Sequence, residues 1–283
     1  MGKAGTLLRM IQFEHTLFAF PFAMMGMLTA AGGWPAGREF GWICVAMVGA
    51  RSSAMAFNRL ADQELDRANP RTCERALPRG LVSRAEAWAL TLGAAALLVV
   101  SAGMLNRLAL ALSPVALALV WGYSYTKRFS SLSHLALGLC LGIAPVGAWI
   151  AIRGTIELPA LVLAAAVMLW TAGFDLIYAC QDYDFDRQVG LHSLPARLGI
   201  GPALLVSLLL HGVMVGLLAW YGWLVEMLGW YWLGLAAASV ILAYEHTLVS
   251  PRDLSRVNQA FFTVNGVVSV GLMVATAADL LVR

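Results

Sequence analysis

Charge is what this chain has least of. Only 12% of its 283 residues are Asp, Glu, Lys or Arg, about half of the roughly 25% usual in soluble domains. By contrast, 60% belong to the apolar set and the mean hydropathy is +0.75. A soluble enzyme of this length would leave broad apolar patches in water, so soluble function classes are excluded. The 19 Lys and Arg exceed the 16 Asp and Glu by only three charges, too few for a nucleic-acid partner without a basic stripe. Cysteine is sparse as well. Cys44, Cys73, Cys140 and Cys180 lie far apart with no CxxC or Cys/His spacing. Neither a zinc site nor a disulfide framework is indicated, and the four read as core packing residues.

Long apolar runs, by contrast, fill the chain. A helix needs about 20 apolar residues to cross the hydrocarbon core. Nine such runs can be placed: 13–31, 40–57, 87–105, 108–125, 132–152, 158–180, 201–220, 229–247 and 260–280. The first starts behind Glu14 and His15 and shows no small-residue cleavage pattern, so it does not read as a signal peptide. With a cytoplasmic N-terminus and nine alternating crossings, 14 of the 19 basic residues are cytoplasmic and four lie on the far side; Arg51 falls inside the second span. That bias predicts an N-in, C-out protein of a bacterial-type inner membrane, with its polar clusters on the cytoplasmic side.

The expected fold class is therefore an all-α integral membrane protein, a single domain over 1–283. Its nine transmembrane helices would bundle around a central cavity, with cytoplasmic cap loops after helices 2 and 6. Trp220, Trp223, Trp230 and Trp232, near the outer face, suit an aromatic belt. Gly138, Gly142 and Gly147 suit close helix packing, and Pro21, Pro114 and Pro145 are candidate kinks. The oligomeric state is not legible.

Two acidic clusters carry the chemistry. Asn58, Asp62 and Asp66 fall within about 80° of one another on a helix. Asp182 and Asp186 share a face in the same way, offset from Asp62 and Asp66 by 120 residues, which hints at an internal repeat. Glu64 and Asp184 point away and read as solvated. Carboxylates gathered at one end of a bundle repel one another unless cations intervene. Hard oxygen ligands of this kind suit Mg²⁺, which takes one or two carboxylates together with substrate phosphates.

Further residues extend these faces inward. Arg51 precedes Asn58 by seven residues, about 10 Å deeper in the membrane, and Asp175 stands in the same relation to Asp182. Ionisable groups within a span are functional candidates. Two readings stand for this pair: a structural Arg51–Asp175 ion pair, or a substrate site. A secondary transporter using Arg51 and Asp175 is the competing function, although it would place more charge at the midplane. Lys127 and Arg128 either follow ordinary positive-inside topology or hold a diphosphate or aromatic carboxylate. Arg67, Arg71, Arg75 and Arg79, with Pro70 and Pro78, form a loop that closes as a lid together with 183–200, or else rests on anionic lipid. Phe13, Glu14, His15 and Thr16 line a cavity mouth or form an interfacial polar cluster.

These motifs resemble those of the UbiA family of intramembrane aromatic prenyltransferases. The likeness covers essentially the whole chain: nine runs, NxxxDxxxD after the second, YxKR after the fourth and DxxxD after the sixth. Residues 175–182 and 190–193 match the family's second signature. Residues 51–59 and 69–72 are similar to the 4-hydroxybenzoate polyprenyltransferase branch, which includes enzymes using a dihydroxynaphthoate acceptor on the futalosine route to menaquinone.

The resemblance implies Mg²⁺-dependent transfer of a polyprenyl group from its diphosphate to a ring carbon of an aromatic acid, in ubiquinone or menaquinone synthesis. It assigns Asn58, Asp62, Asp66, Asp182 and Asp186 to Mg²⁺–diphosphate binding. Lys127 and Arg128 become the family's basic pair, and Arg71 and Tyr178 join the substrate-binding residues. Arg51 or Arg128 would take the acceptor carboxylate, and Asp175 or Asp182 would polarise its hydroxyl. His192 stands where other members often carry Lys, and a neutral imidazole holds phosphate less firmly than an ammonium. A CDP-alcohol phosphotransferase is excluded, because its Asp-Gly…Ala-Arg run is missing.

Overall fold

A computed structural model describes residues 3–10 and 16–282. The expectations for Phe13, Glu14 and His15 lie outside the described residues. Within them every element is helical and no β-strand forms. In chain order the helices are α1 (Lys3–Met10), α2 (Thr16–Ala31), α3 (Gly37–Ala61), α4 (Gln63–Ala68), α5 (Arg84–Leu105), α6 (Arg107–Thr126) and α7 (Ser133–Arg153). They continue with α8 (Leu158–Ala179), α9 (Tyr183–Val189), α10 (Leu194–Leu198), α11 (Ile200–Leu224), α12 (Gly229–Glu245) and α13 (Asn265–Leu281). A 3₁₀ turn, Cys180–Asp182, joins α8 to α9, and a π-helical turn, Gln259–Val264, leads into α13.

Each apolar run lands on a helix. Seven helices among the described residues are long and apolar enough to cross a membrane. The first run gives α2 among the described residues, and the eighth gives α12, of 17 residues. At 1.5 Å per residue α12 covers only about 25 Å, against a core of about 30 Å. The segments after α3 and α8 are not featureless loops, since they carry the short helices α4, α9 and α10.

The chain divides into two compact units, one built on α1 and residues 37–125, the other on 17–36 and 126–282. In the first, α3 packs along α5. A Cβ on Gly49 would lie 2.8 Å from Leu98 N and 2.9 Å from Ala94 O, so only glycine permits that approach. Ser53 Oγ donates to Thr91 O (3.0 Å) and accepts from Trp121 Nε1 (3.0 Å), fastening α6 to the same pair. The start of α5 is written in the sequence. Ser83 accepts from Glu86 N (3.2 Å) while Glu86 accepts from Ser83 N (2.8 Å), a reciprocal capping box. Below it Met10, Ala56, Leu60, Leu77, Val82 and Ala87 form a buried apolar cluster that seats the 69–83 segment.

In the second unit α7 lies against α8 through small residues. A Cβ on Gly142 would come within 2.6 Å of Ala164 O, and one on Gly138 would collide with Met168 O. Gly147 meets nothing within 4 Å, so two of the three expected packing glycines act as such. Gly26 of α2 abuts Pro145 of α7, whose carbonyl oxygen would sit 2.6 Å from an added Cβ. Asp279, in the last turn of α13, accepts from Leu228 N (2.5 Å) and Tyr231 N (3.1 Å), so a buried carboxylate caps the positive end of α12.

Candidate active site

In the first unit the backbone bonds Asp62 N→Asn58 O (2.9 Å) and Asp66 N→Asp62 O (2.8 Å) carry helical spacing across the α3–α4 junction. The three side chains therefore share a face, as their spacing predicts. Asp62 caps α4 with φ −96° and ψ 6°. Asn58 Nδ2 donates to Asp62 Oδ2 (3.2 Å) and to Ser124 Oγ (3.3 Å). Arg59 is buried, and its NH1 donates to Asn58 Oδ1 (3.4 Å) while its Nε donates to Met10 O (3.3 Å). Asp62 and Asp66 are both buried. Glu64 is exposed and pairs with exposed Arg67, as expected of an outward residue.

Among the loop arginines, Arg75 reaches Asp66 Oδ1, at 2.7 Å. Arg71 is exposed, and its backbone N–H donates to Asn69 Oδ1 (2.9 Å). Arg79 pairs with Glu74 at 2.9 Å. Arg75 thus grips one of the buried carboxylates, and Thr72 Oγ1 donating to Asp66 O (3.1 Å) anchors the same segment.

The second unit repeats the local form. Asp182 caps α9 with φ −96° and ψ 9°, and Asp186 one turn later is buried. Asp184 is exposed. Asp186 takes a hydrogen bond from the Ser193 side chain and feels the charge of Lys127. Gly190, in the left-handed conformation (φ 77°), turns the chain back so that Leu191 N donates to Asp186 O (2.8 Å). His192 N then donates to Lys127 O (2.9 Å), which ties this loop to the α6–α7 connection by backbone rather than by imidazole. The His192 and Arg128 side chains are exposed.

Asp175 has a partner that spacing did not reveal. His134 Nε2 accepts from Leu194 N (3.3 Å), so its Nδ1 carries the proton and donates to Asp175 Oδ2 (2.7 Å). The buried imidazole joins α7, α8 and the segment entering α10. Beneath the cluster, Trp170, Phe174, Tyr178, Asp182 and Asp186 follow at four-residue intervals. Trp170 and Phe174 meet at 4.8 Å, and Tyr178 lies 4.3 Å from Phe261, which the π turn presents beside Phe262. Phe18 joins the same aromatic group, 5.4 Å from Phe174.

Among the described residues, some buried polar atoms of this region are left wanting. Asp66 Oδ2 is buried with no hydrogen-bond partner, and so is Arg51 Nε, well inside α3. A buried polar atom left so costs about 1–3 kcal/mol, and more when charged. A carboxylate oxygen in that state fits a hard divalent cation, and the surrounding set of carboxylate and amide oxygens is of the kind that Mg²⁺ takes. A guanidinium N–H in that state fits an anion. Ser124 and His134 come from other elements of the fold and had no signal in the sequence. Arg75 had one as one of several loop arginines, and Arg59 and Ser193 as members of the 51–59 and 190–193 stretches.

The chain resembles known proteins over most of its length. Residues 19–267 match the UbiA prenyltransferase family. The chain is 33% identical over 215 residues to 4-hydroxybenzoate octaprenyltransferase of Edwardsiella ictaluri, covering 76% of this chain and 75% of that one. It is 34% identical over 239 residues to the enzyme of the same name from Cupriavidus pinatubonensis, covering 82% and 81%. Among solved structures, the apo form of a UbiA homologue from Aeropyrum pernix K1 is similar, with TM-score 0.82 and 34% identity over 95% of this chain and 98% of that one. A UbiA homologue from Archaeoglobus fulgidus bound to GPP and Mg²⁺ has TM-score 0.77 over 97% and 99%. At 21% identity it speaks for the fold alone.

Proposed function

The chain belongs to the UbiA prenyltransferase family, and we propose that it transfers a polyprenyl group from a polyprenyl diphosphate to a ring carbon of an aromatic acid in quinone synthesis. The acceptor is of the 4-hydroxybenzoate or 1,4-dihydroxy-6-naphthoate type. The names of the curated relatives support the first. The reading rests most on the buried Asp66 oxygen that lacks a donor, beside a carboxylate cluster whose local form recurs at 182–186. One family match runs through both compact units, which supports a single functional domain. The basic bias of the sequence supports an N-in protein with nine crossings and its reaction at the cytoplasmic face.

Asn58, Asp62, Asp66, Asp182 and Asp186 are the residues that would hold Mg²⁺ and, with it, the diphosphate. Within the family, a UbiA homologue from Archaeoglobus fulgidus is bound to GPP and Mg²⁺, which supports Mg²⁺ as the ion. Bound there, Mg²⁺ supplies Lewis-acid neutralisation of the leaving group. Arg75 and Lys127 add fixed positive charge beside the carboxylates, and Arg71 and Arg128 lie exposed within reach of solvent-side phosphate oxygens. The row of Trp170, Phe174 and Tyr178 offers a dry wall whose ring faces attract an allylic cation and keep water from quenching it. Arg51 takes the acceptor carboxylate. His134 fixes one oxygen of Asp175, leaving the other to accept from the acceptor hydroxyl and so raise electron density at the ring carbon that attacks. His192 contributes through its backbone.

The test is turnover by purified protein with Mg²⁺, a polyprenyl diphosphate and a panel of both acceptors and their decarboxylated analogues. The expected result is a C-prenylated acid. Arg51→Ala should raise the acceptor KM about 10- to 100-fold, the worth of a lost charge-assisted hydrogen bond, while the diphosphate KM stays put. Equal turnover of acid and decarboxylated analogue would overturn the assignment of Arg51.

A further inference from the structure

Away from the acidic clusters, α11 against α8 and α12 against α13 bring a second set of potential ligands together. His211 sits in α11, Glu245 is the last residue of α12, and His246 caps that helix. Neither the cysteine spacing nor any motif of the sequence marks them. His211 lies so close to α8 that a Cβ on Gly173 would collide with its ring.

Hydrogen bonding fixes what each group presents. His211 Nε2 is 3.2 Å from Trp170 O, which can only accept, so Nε2 carries the proton. Its Nδ1 lone pair therefore faces His246 Nε2 at 3.0 Å and Glu245 Oε2 at 3.6 Å. Glu245 is fully buried. Its Oε1 accepts from Asn265 Nδ2 (2.7 Å), and Asn265 is held in turn by Trp170 Nε1 on its Oδ1 (2.7 Å). Glu245 Oε2 has no hydrogen-bond partner. The three ligand atoms all lie within 4.8 Å of one another.

With Glu245 ionised, the triad holds fewer donors than acceptors. One N–H from His246 can serve His211 Nδ1 or Glu245 Oε2, leaving the other acceptor buried without a donor. A cation serves all three at once. Two imidazoles and a carboxylate are a zinc-type ligand set rather than the all-oxygen set that Mg²⁺ prefers. With metal–nitrogen bonds of about 2.0–2.1 Å, tetrahedral ligands stand about 3.3–3.4 Å apart; the two separations from His211 Nδ1, 3.0 and 3.6 Å, bracket that value, and the third is within 4.8 Å. A backbone carbonyl on the far nitrogen of His211 and an amide on the far oxygen of Glu245 are the outer partners that orient metal ligands. His246 is only partly buried, which gives an ion a way in.

We propose that His211 Nδ1, Glu245 Oε2 and His246 Nε2 form a second, structural site for a divalent transition-metal ion of zinc type. It fastens the end of α12 to α11 and, through Trp170 and Asn265, to α8 and the π turn. The probe is Co²⁺, added to the full-length protein in detergent with excess Mg²⁺ present to compete at the acidic clusters. Wild type should bind one equivalent with the intense visible d–d absorption of four-coordinate Co²⁺, displaced by Zn²⁺. Glu245→Gln and His246→Ala, each checked for monodisperse elution, should weaken Co²⁺ binding at least about tenfold and lose the bands, whereas Asp62→Asn keeps them. His246→Ala alters a partly exposed residue, so it tests the site even if Glu245→Gln misfolds. Wild type without such bands, bands unchanged in either variant, or bands lost in Asp62→Asn would overturn the proposal.

Discussion

The two acidic clusters share a backbone and differ in what neutralises them. Asp62 and Asp182 cap short helices with nearly identical torsions, φ −96° with ψ 6° and 9°. One turn later Asp66 and Asp186 are buried, and Glu64 and Asp184 turn outward. That sameness follows from a spacing of four at the end of a long apolar helix. The partners diverge. Asp66 is gripped at 2.7 Å by Arg75, nine residues downstream in its own segment. Asp186 leans on the hydroxyl of Ser193, seven residues downstream in its own segment, and on the more diffuse field of Lys127 from the α6–α7 connection. A fixed guanidinium in contact offsets a buried carboxylate far more than a hydroxyl does, so the two clusters should respond differently to the same kind of damage.

The largest expected effect probes what they have in common. Asp62→Ala and Asp186→Ala should each lower kcat about 10³-fold or more, as loss of transition-state charge stabilisation does, while both proteins elute as folded species. Activity within tenfold of wild type in one variant alone would show that the matching torsions do not mean matching roles. A smaller effect probes the difference. Arg75→Ala should shift the Mg²⁺ concentration for half-maximal rate about 10- to 100-fold, the usual range for losing an outer partner of a metal ligand. It should also lower the thermal midpoint in metal-free buffer, with partial recovery on adding Mg²⁺. Ser193→Ala should shift the same concentration by less than about tenfold, because a single neutral hydrogen bond is worth about 1 kcal/mol. The reverse ranking would mean that contact charge is not what separates the clusters. At the low end, Glu64→Ala and Asp184→Ala should leave kcat/KM within about twofold, as exposed surface positions do.

Much of this was legible from periodicity. All nine apolar runs became helices, and the shared face of Asn58, Asp62 and Asp66 followed from a helical repeat that survives the α3–α4 junction. The outward turn of Glu64 and Asp184 and the packing of Gly138 and Gly142 were legible on the same grounds. Span lengths were less so: α12 stops at 17 residues, because hydropathy locates a helix better than it locates its ends. The partners were illegible for a different reason. His134 reaches Asp175 across 41 residues and His211 meets His246 across 35, and no local pattern encodes a contact made by folding. Arg75 was one of four similar arginines, and only the path of the 69–83 segment carries it to Asp66.

The π-helical turn at Gln259–Val264 carries an obligation of register. Such a turn holds one residue more than an ordinary helical turn, so deleting any single residue from it would relax the stretch to α-helix and rotate what precedes it by about 100° relative to α13. Phe261 and Phe262 would swing away from Tyr178, while Asn265 would keep its hold on Glu245 and Trp170 only if the chain before it moved. That six-residue swelling acts as a phase adjuster: it lets one helix address an aromatic wall and a buried amide network at two angles that a uniform coil could not reconcile.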